Sequence, residues 1–358
     1  MQNPRRRRAS ATASARAYSP SHLTGFFEIR DDDKNPLQKG SVGGGILLEA
    51  GCETCATLSS ATLSSATLSS ATLSSATLSS ATLTEAALSS STKNRAGRKI
   101  REIRINGVAV AEAETTKSVV ERLVGDKPVS VATDFEVPVG CGFGASGAGA
   151  LSTALALNDL FSLGRTLNEL VFVAHLAEVE NSTGLGDVVA EAYGGGGVVL
   201  RKEPGVVGGG RIEKIPHSRE KVSYVVFGRK STRSVLLEEL EDGSANLRRR
   251  INEAGRAAMK ELARVRQPSL ENFMLVSRRF SLRCGVVSER CRDAIEAVAA
   301  EGKVASAAML GDAVFLVGES EALKEFGEVR TSRIAESGAK VRRSGGQEVR
   351  RSGGQEVR

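Results

Sequence analysis

A glycine-rich stretch between an extended segment and a helix constrains this chain most. It occupies residues 137–158 and reads VPVGCGFGASGAGALSTALALN. Because glycine has no Cβ, successive backbone N–H groups of such a loop can point inward at an anion. The helix that follows adds its unpaired first N–H groups and the positive end of its dipole. The stretch therefore predicts a phosphate loop, residues 140–149, in which the Ser146 hydroxyl reaches a phosphate oxygen or a metal ion.

Two other nucleotide-binding loops fit the same stretch less well. Residues 142–147 match G-x-G-x-x-G, but a dinucleotide-binding fold needs an acidic residue after a second strand, about 20 residues further on. Glu169 lies near that distance inside a helical pattern. A Walker loop fails because no G-K-[ST] closes the motif. A glycine turn of purely structural importance remains the alternative.

The phosphate loop resembles the P-x-x-x-G-L-G-S-S-A-A motif of the GHMP kinase superfamily. Here Phe143 stands in place of leucine, and residues 145–148 read ASGA in place of S-S-A-A. Within the superfamily, this variant is similar to the archaeal pantoate kinases. So is the segment at 175–201, which reads HLAEVENSTGLGDVVAEAYGGGGVVLR. A shorter likeness lies at 309–311, which reads MLG.

The resemblance covers about residues 17–50 and 100–335 and implies an α+β, two-domain GHMP-kinase fold. Its N-terminal domain, expected at 17–214, is α/β and similar to domain 2 of ribosomal protein S5. Its C-terminal domain, expected at 215–335, is ferredoxin-like. Outside both domains, the basic segment 1–16 and the segment 336–358, which repeats VRRSGGQE, are interpreted as disordered tails.

The chain departs from the family at an insertion, residues 56–90. The pentamer ATLSS occurs five times in succession between residues 56 and 80. A period of five matches neither the 3.6-residue period of a helix nor the two-residue period of a strand, so the segment cannot present one apolar face. We interpret the insertion as low-complexity sequence without a chemical role.

Local patterns predict several elements around these motifs. Alternation on both sides of Asn106-Gly107 indicates a β-hairpin. The segment 17–29 reads as a strand interrupted by a turn, and His22 within it is interpreted as a packed or solvated histidine. Helices are predicted over 116–124, 148–161, 167–179, 246–265, 270–280 and 289–300.

Composition narrows the range of partners. The formal net charge is +7, but basic residues are concentrated only at 5–8 and in the C-terminal tail, and no stacking-aromatic pattern accompanies them, so no nucleic-acid partner is expected. No apolar stretch is long enough to span a membrane.

The five cysteines include a single C-x-x-C, Cys52–Cys55, which without a second pair does not predict a zinc site. The odd count and the lack of a secretory segment predict a cytoplasmic protein.

The resemblance also implies a reaction and its residues. The activity would be transfer of the γ-phosphoryl group of ATP, with Mg²⁺, to the 4-hydroxyl of pantoate. Glu178 and Ser146 would hold the metal, and Asp187, with Glu178, would be catalytic. Ser41, His175 and Arg201 would bind pantoate, while Val42 stands where the family has arginine. The residues expected to bind the ATP phosphates are Gly140, Gly142, Gly144, Ala145, Ser146, Gly147 and Ala148.

Two alternatives accompany this assignment. One is another small-alcohol kinase of the superfamily, of the homoserine or mevalonate type. The other is a ligand-binding protein of the same fold without turnover, which the presence of both Glu178 and Asp187 argues against. A homodimer is also expected.

Overall fold

Two β-sheets form the framework of the protein. The computed structural model describes residues 13–58, 100, 102–206, 211–217, 219–230 and 244–342. Within these ranges the chain forms an eight-stranded sheet, a four-stranded sheet and seven α-helices. This architecture confirms the predicted α+β fold class. No helix in the described ranges combines the length and apolar character needed to cross a bilayer.

The strands and helices are numbered in chain order. The larger sheet contains β1 (Ala13–Arg30), β2 (Gly40–Leu58), β3 (Glu102–Ile105), β4 (Val108–Ala109), β5 (Ser130–Phe135), β6 (Gly197–Arg201), β7 (Ile212–Pro216) and β12 (Lys340–Arg342). The smaller sheet contains β8 (Lys221–Gly228), β9 (Ala305–Ala307), β10 (Asp312–Val317) and β11 (Arg330–Arg333). The helices are α1 (Glu114–Val124), α2 (Ala145–Leu160), α3 (Leu167–Asn181), α4 (Asp187–Tyr193), α5 (Ser244–Ala263), α6 (Leu270–Cys284) and α7 (Glu289–Ala300).

A long antiparallel pair, β1 with β2, runs through the larger sheet. The sequence predicted a turn inside the first of these strands, but β1 continues through it. Its register against β2 shifts between Pro20 and Ser21 and again between Thr24 and Phe26. Proline cannot donate to a strand ladder and is tolerated at such irregularities. The local signal for a turn therefore marks β-bulges, which bend the strand without ending it.

Both ends of the described chain contradict the predicted tails. β1 begins at Ala13, inside the segment expected to be disordered up to residue 16, and Arg16 forms an ion pair with Glu53 of β2 at 2.6 Å. At the other end, β12 pairs antiparallel with β1, with Arg342 opposite Arg16. Segments that lack an apolar pattern are thus ordered by backbone pairing to a neighbouring strand. Residues 1–12 and 343–358 of the two predicted tails lie outside the described ranges.

The first residues of the insertion also belong to the sheet. Ala56 to Leu58 continue β2 and pair with Ala13 to Ala15 of β1, while the rest of the predicted insertion lies outside the described residues. The part of the insertion without an assigned structural role therefore begins after Leu58.

Replacing residues 59–90 with a short Gly/Ser linker is expected to leave kcat and KM within a few fold of the wild-type values, because a five-residue polar period buries no continuous face. Steady-state kinetics and a thermal melt of the two proteins test this. A matched deletion that also removes residues 56–58 should destabilise the fold, since it shortens β2. Loss of folding in the shorter replacement would contradict the prediction.

The smaller sheet packs beside the larger one rather than apart from it. One apolar cluster contains residues of both sheets and of α5, α6 and α7. Phe26 and Phe27 of β1 contact Phe273 and Phe280 of α6, with ring centroids 5.9 and 5.7 Å apart. This contact fixes the position of the C-terminal elements relative to β1. The predicted domain boundary at 214/215 falls inside β7.

The central helix α2 follows the phosphate loop. It begins at Ala145, three residues before the predicted start, and twelve of its sixteen residues are buried. Its alanine, glycine and serine residues leave room for β1, β2 and α3 to approach closely. A helix that is covered on nearly all sides does not need an amphipathic pattern. Its first turn is thus held firmly at the end of the loop.

Candidate active site

The phosphate loop has the backbone geometry that its glycines predict. Gly140, Gly142 and Gly144 have φ values of 80°, 87° and 63°, in the left-handed region that other residues rarely adopt. Gly144 is the N-cap of α2, and the N–H of Ala148 donates to its carbonyl. The N–H groups of the first helical turn have no intrahelical acceptor and are free to bind an anion.

The C-terminal part of the chain supports this loop from behind. A Cβ added to Gly142 would lie 3.0 Å from the carbonyl oxygens of Ala308 and Met309, and the Met309 N–H donates to the carbonyl of Thr24. Gly311 likewise lies directly against the backbone of Cys141. The MLG segment noted in the sequence therefore packs under the phosphate loop. Close packing of this kind limits the movement of the loop.

Glu178 of α3 is buried beside the start of α2. The hydroxyl of Thr183 donates to Glu178 Oε1 at 2.9 Å, whereas Oε2 has no hydrogen-bond partner among the described residues. Burial, together with the negative charge of Asp187, raises the pKa of Glu178 to about 7, against the opposing effect of the Ser146 and Thr183 hydroxyls. A buried carboxylate oxygen without a partner is suited to a cation.

Asp187 begins α4 and pairs with His22 of β1. The Nδ1–H of His22 donates to Asp187 Oδ1 at 2.6 Å, and the Thr24 hydroxyl lies 3.4 Å from the same oxygen. His22 is buried, and its Nε2 has no partner among the described residues. His22 is thus packed, as the sequence analysis allowed, but it lines the same pocket as Asp187. A buried imidazole in this position can orient the carboxylate that it hydrogen-bonds.

The Asp187–His22 pair lies between the phosphate loop and a pocket. On one side, a Cβ added to Gly144 would lie 3.1 Å from His22 Cβ and 3.3 Å from Asp187 Cβ. On the other side is an open pocket, whose space together with the adjoining solvent is about 270 Å³. This pocket is lined by His22, Thr24, Phe26, Phe27, Ser41, Gly43, Gly44, Gly45, Gly186, Asp187, Val199 and Arg201.

Arg201, at the end of β6, is a buried cation on the wall of the pocket. Its guanidinium donates to the carbonyls of Leu185 at 3.2 Å and Gly205 at 2.9 Å, while Nε has no partner among the described residues. Burial lowers the pKa of Arg201 to about 10, and the charge of Asp187 opposes this effect. Ser41 and Arg201 both flank Gly186. The pocket therefore offers a hydroxyl and a guanidinium to an anionic ligand.

His175, which the sequence analysis expected to bind the substrate, lies outside the pocket lining. Its ring is buried and does not line the pocket, and its Nε2–H donates to the carbonyl of Lys39 at 3.0 Å. Lys39 directly precedes β2, so His175 fixes the start of the strand that carries Ser41. His175 and Glu178 are three residues apart on α3 and therefore share one face of the helix. His175 nevertheless contacts the Lys39 carbonyl, whereas Glu178 lies beside the start of α2.

Burial also makes His175 a source of acid sensitivity. Burial, assisted by the charge of Arg201, lowers its pKa to about 4. Below pH 6.5 the unfolded chain binds a proton at this histidine that the folded chain does not, so the free energy of unfolding falls as the pH drops from about 6.5 to 4, by up to about 3 kcal/mol. His175→Gln should reduce this loss in urea titrations across that pH range.

His217, whose side chain is 33% exposed and lies 3.9 Å from Glu220, provides the comparison. His217→Gln should keep the acid-dependent loss assigned to His175, because the buried histidine is unchanged. If the free energy of unfolding depends on pH identically in His175→Gln and the wild type, then His175 does not cause the acid sensitivity.

Glu191 of α4 is a buried carboxyl that the sequence analysis missed. It is fully buried, and neither carboxyl oxygen has a hydrogen-bond partner among the described residues. Burial, with the charges of Asp187 and Glu178, raises its pKa well above the ordinary range. Glu191 follows Asp187 by four residues, which places both on one face of α4. This four-residue spacing from Asp187 is the sequence signal that could have identified Glu191.

Comparisons with known proteins agree with this arrangement. The family model described as the GHMP kinases N terminal domain matches residues 109–195. A pantoate kinase of Thermococcus kodakarensis is 33% identical over 318 residues, covering 86% of this chain and 89% of that protein. A second, from Methanocaldococcus jannaschii, is 29% identical over 86% of this chain and 94% of that protein. A solved structure described as a phosphotransferase related to the CoA biosynthesis pathway is 29% identical, with a TM-score of 0.68, over 93% of this chain and 100% of that chain.

Proposed function

The chain belongs to the pantoate kinase family, and on that premise we propose that it transfers the γ-phosphoryl group of ATP to the 4-hydroxyl of (R)-pantoate, giving 4-phosphopantoate for coenzyme A synthesis. One observation carries the assignment of the site. Asp187 lines the pocket while its Cβ lies against the glycines that begin α2. An alcohol in the pocket and a phosphoryl group on the loop would therefore approach each other beside this carboxylate.

In the proposed reaction, the 4-hydroxyl oxygen forms a bond to the γ-phosphorus as the bond to the β–γ bridging oxygen breaks. ADP is the leaving group, and the hydroxyl proton passes to Asp187. His22 holds the carboxylate of Asp187 through the 2.6 Å hydrogen bond that its Nδ1–H donates to Oδ1. The N–H groups of the phosphate loop and of the first turn of α2 bind the phosphate oxygens.

The residues present fit a magnesium ion. The unpartnered Glu178 Oε2 is a hard oxygen donor, and the Ser146 hydroxyl is close enough to affect the pKa of Glu178. Mg²⁺ in kinases is usually held by one or two carboxylates plus phosphate oxygens. No group of three or more His, Cys, Asp or Glu side chains in the described ranges is arranged as a metal site, and phosphate oxygens of ATP are the ligands that such an ion usually adds. The ion would neutralise charge on the phosphates.

The pocket also supports pantoate as the acceptor. Its Ser41 hydroxyl and Arg201 guanidinium suit the carboxylate of the substrate, because the planar fork of arginine can bind both oxygens. Phe26, Phe27 and Val199 form an apolar wall, which suits a carbon that carries two methyl groups. We assign His175 to positioning β2 rather than to contact with the substrate. The two-domain division, the cytoplasmic location and a homodimer remain predictions.

Incubation of the purified protein with ATP, Mg²⁺ and single alcohols tests the assignment. We expect ADP formation with pantoate and 4-phosphopantoate as the product, identified by mass spectrometry and ³¹P NMR. Homoserine and mevalonate serve as competing acceptors. Consumption of either one with pantoate untouched would overturn the substrate assignment, and absence of turnover with every acceptor would favour a non-catalytic binding protein.

A further inference from the structure

Two buried carboxyl groups point at one place beneath the first turn of α2. A Cβ added to Gly147 would lie 2.8 Å from Glu191 Oε2 and 3.2 Å from Glu178 Oε2. Both oxygens lack a hydrogen-bond partner among the described residues, and both side chains are almost fully buried. They come from different helices, α4 and α3, so their convergence is a property of the tertiary structure rather than of a local turn.

Such an arrangement is costly unless something neutralises it. Desolvating a carboxylate without a partner costs several kcal/mol, and a neighbouring carboxylate adds repulsion. Asp187, whose Cβ would lie 3.2 Å from the same Gly147 position, adds a third acidic group. In the described ranges no Lys or Arg forms an ion pair with any of these three side chains. Asp187 is paired with His22. A cation or a bound proton must therefore compensate the charge.

We propose that Glu191 is a second carboxylate ligand of the divalent cation that accompanies ATP, so that the ion is held between Glu178 and Glu191 beneath the phosphate loop. This inference rests on the proposed function. Two carboxylates together with phosphate oxygens and water complete the coordination that Mg²⁺ prefers. The two oxygens without hydrogen-bond partners are the ligands that the protein offers.

The proposal also accounts for Gly147. A methyl group at this position would lie within 3.2 Å of oxygens from both carboxyl groups, closer than ordinary van der Waals contact. Gly147 stands where the S-S-A-A pattern has alanine. The absence of a side chain at Gly147 therefore leaves the space into which the carboxyl groups of Glu178 and Glu191 point.

Metal binding can be measured apart from turnover. Mn²⁺ is titrated into the full-length protein with a non-hydrolysable ATP analogue, and binding is followed by electron paramagnetic resonance of free Mn²⁺. Glu191→Gln should raise the dissociation constant for Mn²⁺ at least about tenfold, because an amide is a weaker ligand than a carboxylate. The matched control is Glu180→Gln on α3, whose side chain is 36% exposed; it should bind Mn²⁺ like the wild type.

The alternative is that Glu191 carries a proton and only fills space. In that case Glu191→Gln would bind Mn²⁺ with wild-type affinity, which would overturn the proposal. Should Glu191→Gln fail to fold, Glu191→Asp keeps the charge but withdraws it by one methylene, and it should also weaken Mn²⁺ binding; unchanged affinity there overturns the proposal equally. A wild-type protein that binds Mn²⁺ through Glu191 yet does not phosphorylate pantoate would refute the proposed function and leave the metal ligand assigned.

Discussion

Asp187→Asn is expected to lower kcat for pantoate phosphorylation by about 10² or more with little change in KM for pantoate. The carboxylate acts as the acceptor oxygen attacks, so its loss removes an interaction made mainly in the transition state. Asparagine has nearly the same shape and its carbonyl oxygen can still accept the hydrogen bond from His22 Nδ1. The variant should therefore fold and bind both substrates, and the loss should be confined to the chemical step.

The size of this effect reports how the carboxylate works. Phosphoryl transfer has a loose transition state in which little proton transfer has occurred, so Asp187 contributes by positioning the hydroxyl as well as by accepting its proton. Steady-state kinetics of the variant decide between a large loss and a modest one. Asp134→Asn, at an exposed carboxylate of β5, is the matched control and should be fully active. Full activity of Asp187→Asn would remove Asp187 from the mechanism.

The phosphate loop could be predicted because its chemistry is contiguous in the sequence. The left-handed backbone of Gly140, Gly142 and Gly144 and the helix beginning at Ala145 are local properties of one segment. The same holds for the Asn106-Gly107 hairpin, in which both residues have positive φ as a type I′ turn requires. Both local structures could be predicted because the residues that adopt the unusual backbone conformation lie within the motif itself.

The contact of His22 with Asp187 and the convergence of Glu178 with Glu191 could not be predicted in this way. His22 meets Asp187 across 165 positions of sequence, and that contact exists only once β1 is placed against α4. Glu178 and Glu191 likewise come together through the packing of α3 and α4 against α2. His175 is the converse case, because its position next to Glu178 in sequence suggested a role in the pocket, whereas its ring faces the Lys39 carbonyl.

The sheet edges were mispredicted for a related reason. Ala13–Arg16 and Lys340–Arg342 have little apolar character, and their order arises from hydrogen bonds to each other and to β2. Strand pairing of this kind depends on a partner that is remote in sequence, so periodicity within the segment contains no signal for it.

Arg201→Ala is expected to raise KM for pantoate by about 10² while KM for ATP stays nearly unchanged. Truncating one partner of a buried, hydrogen-bonded charge pair typically costs 2–5 kcal/mol, and a guanidinium that holds a carboxylate remote from the reacting hydroxyl contributes equally before and during transfer. Arg201→Lys should fall between the wild type and the alanine variant, because a lysine keeps the charge but loses the bidentate geometry.

Arg201 also binds the carbonyls of Leu185 and Gly205, so a general loosening of the pocket must be distinguished from loss of the carboxylate contact. The amide of pantoate, which lacks the negative charge, makes this distinction. The wild-type enzyme should discriminate strongly against the amide, since its buried guanidinium would be left without an anion. If Arg201 binds the carboxylate, Arg201→Ala should use pantoate and its amide about equally poorly. If instead the variant retains the wild-type preference for pantoate, or is impaired only toward ATP, then another residue recognises the carboxylate and Arg201 maintains the shape of the pocket.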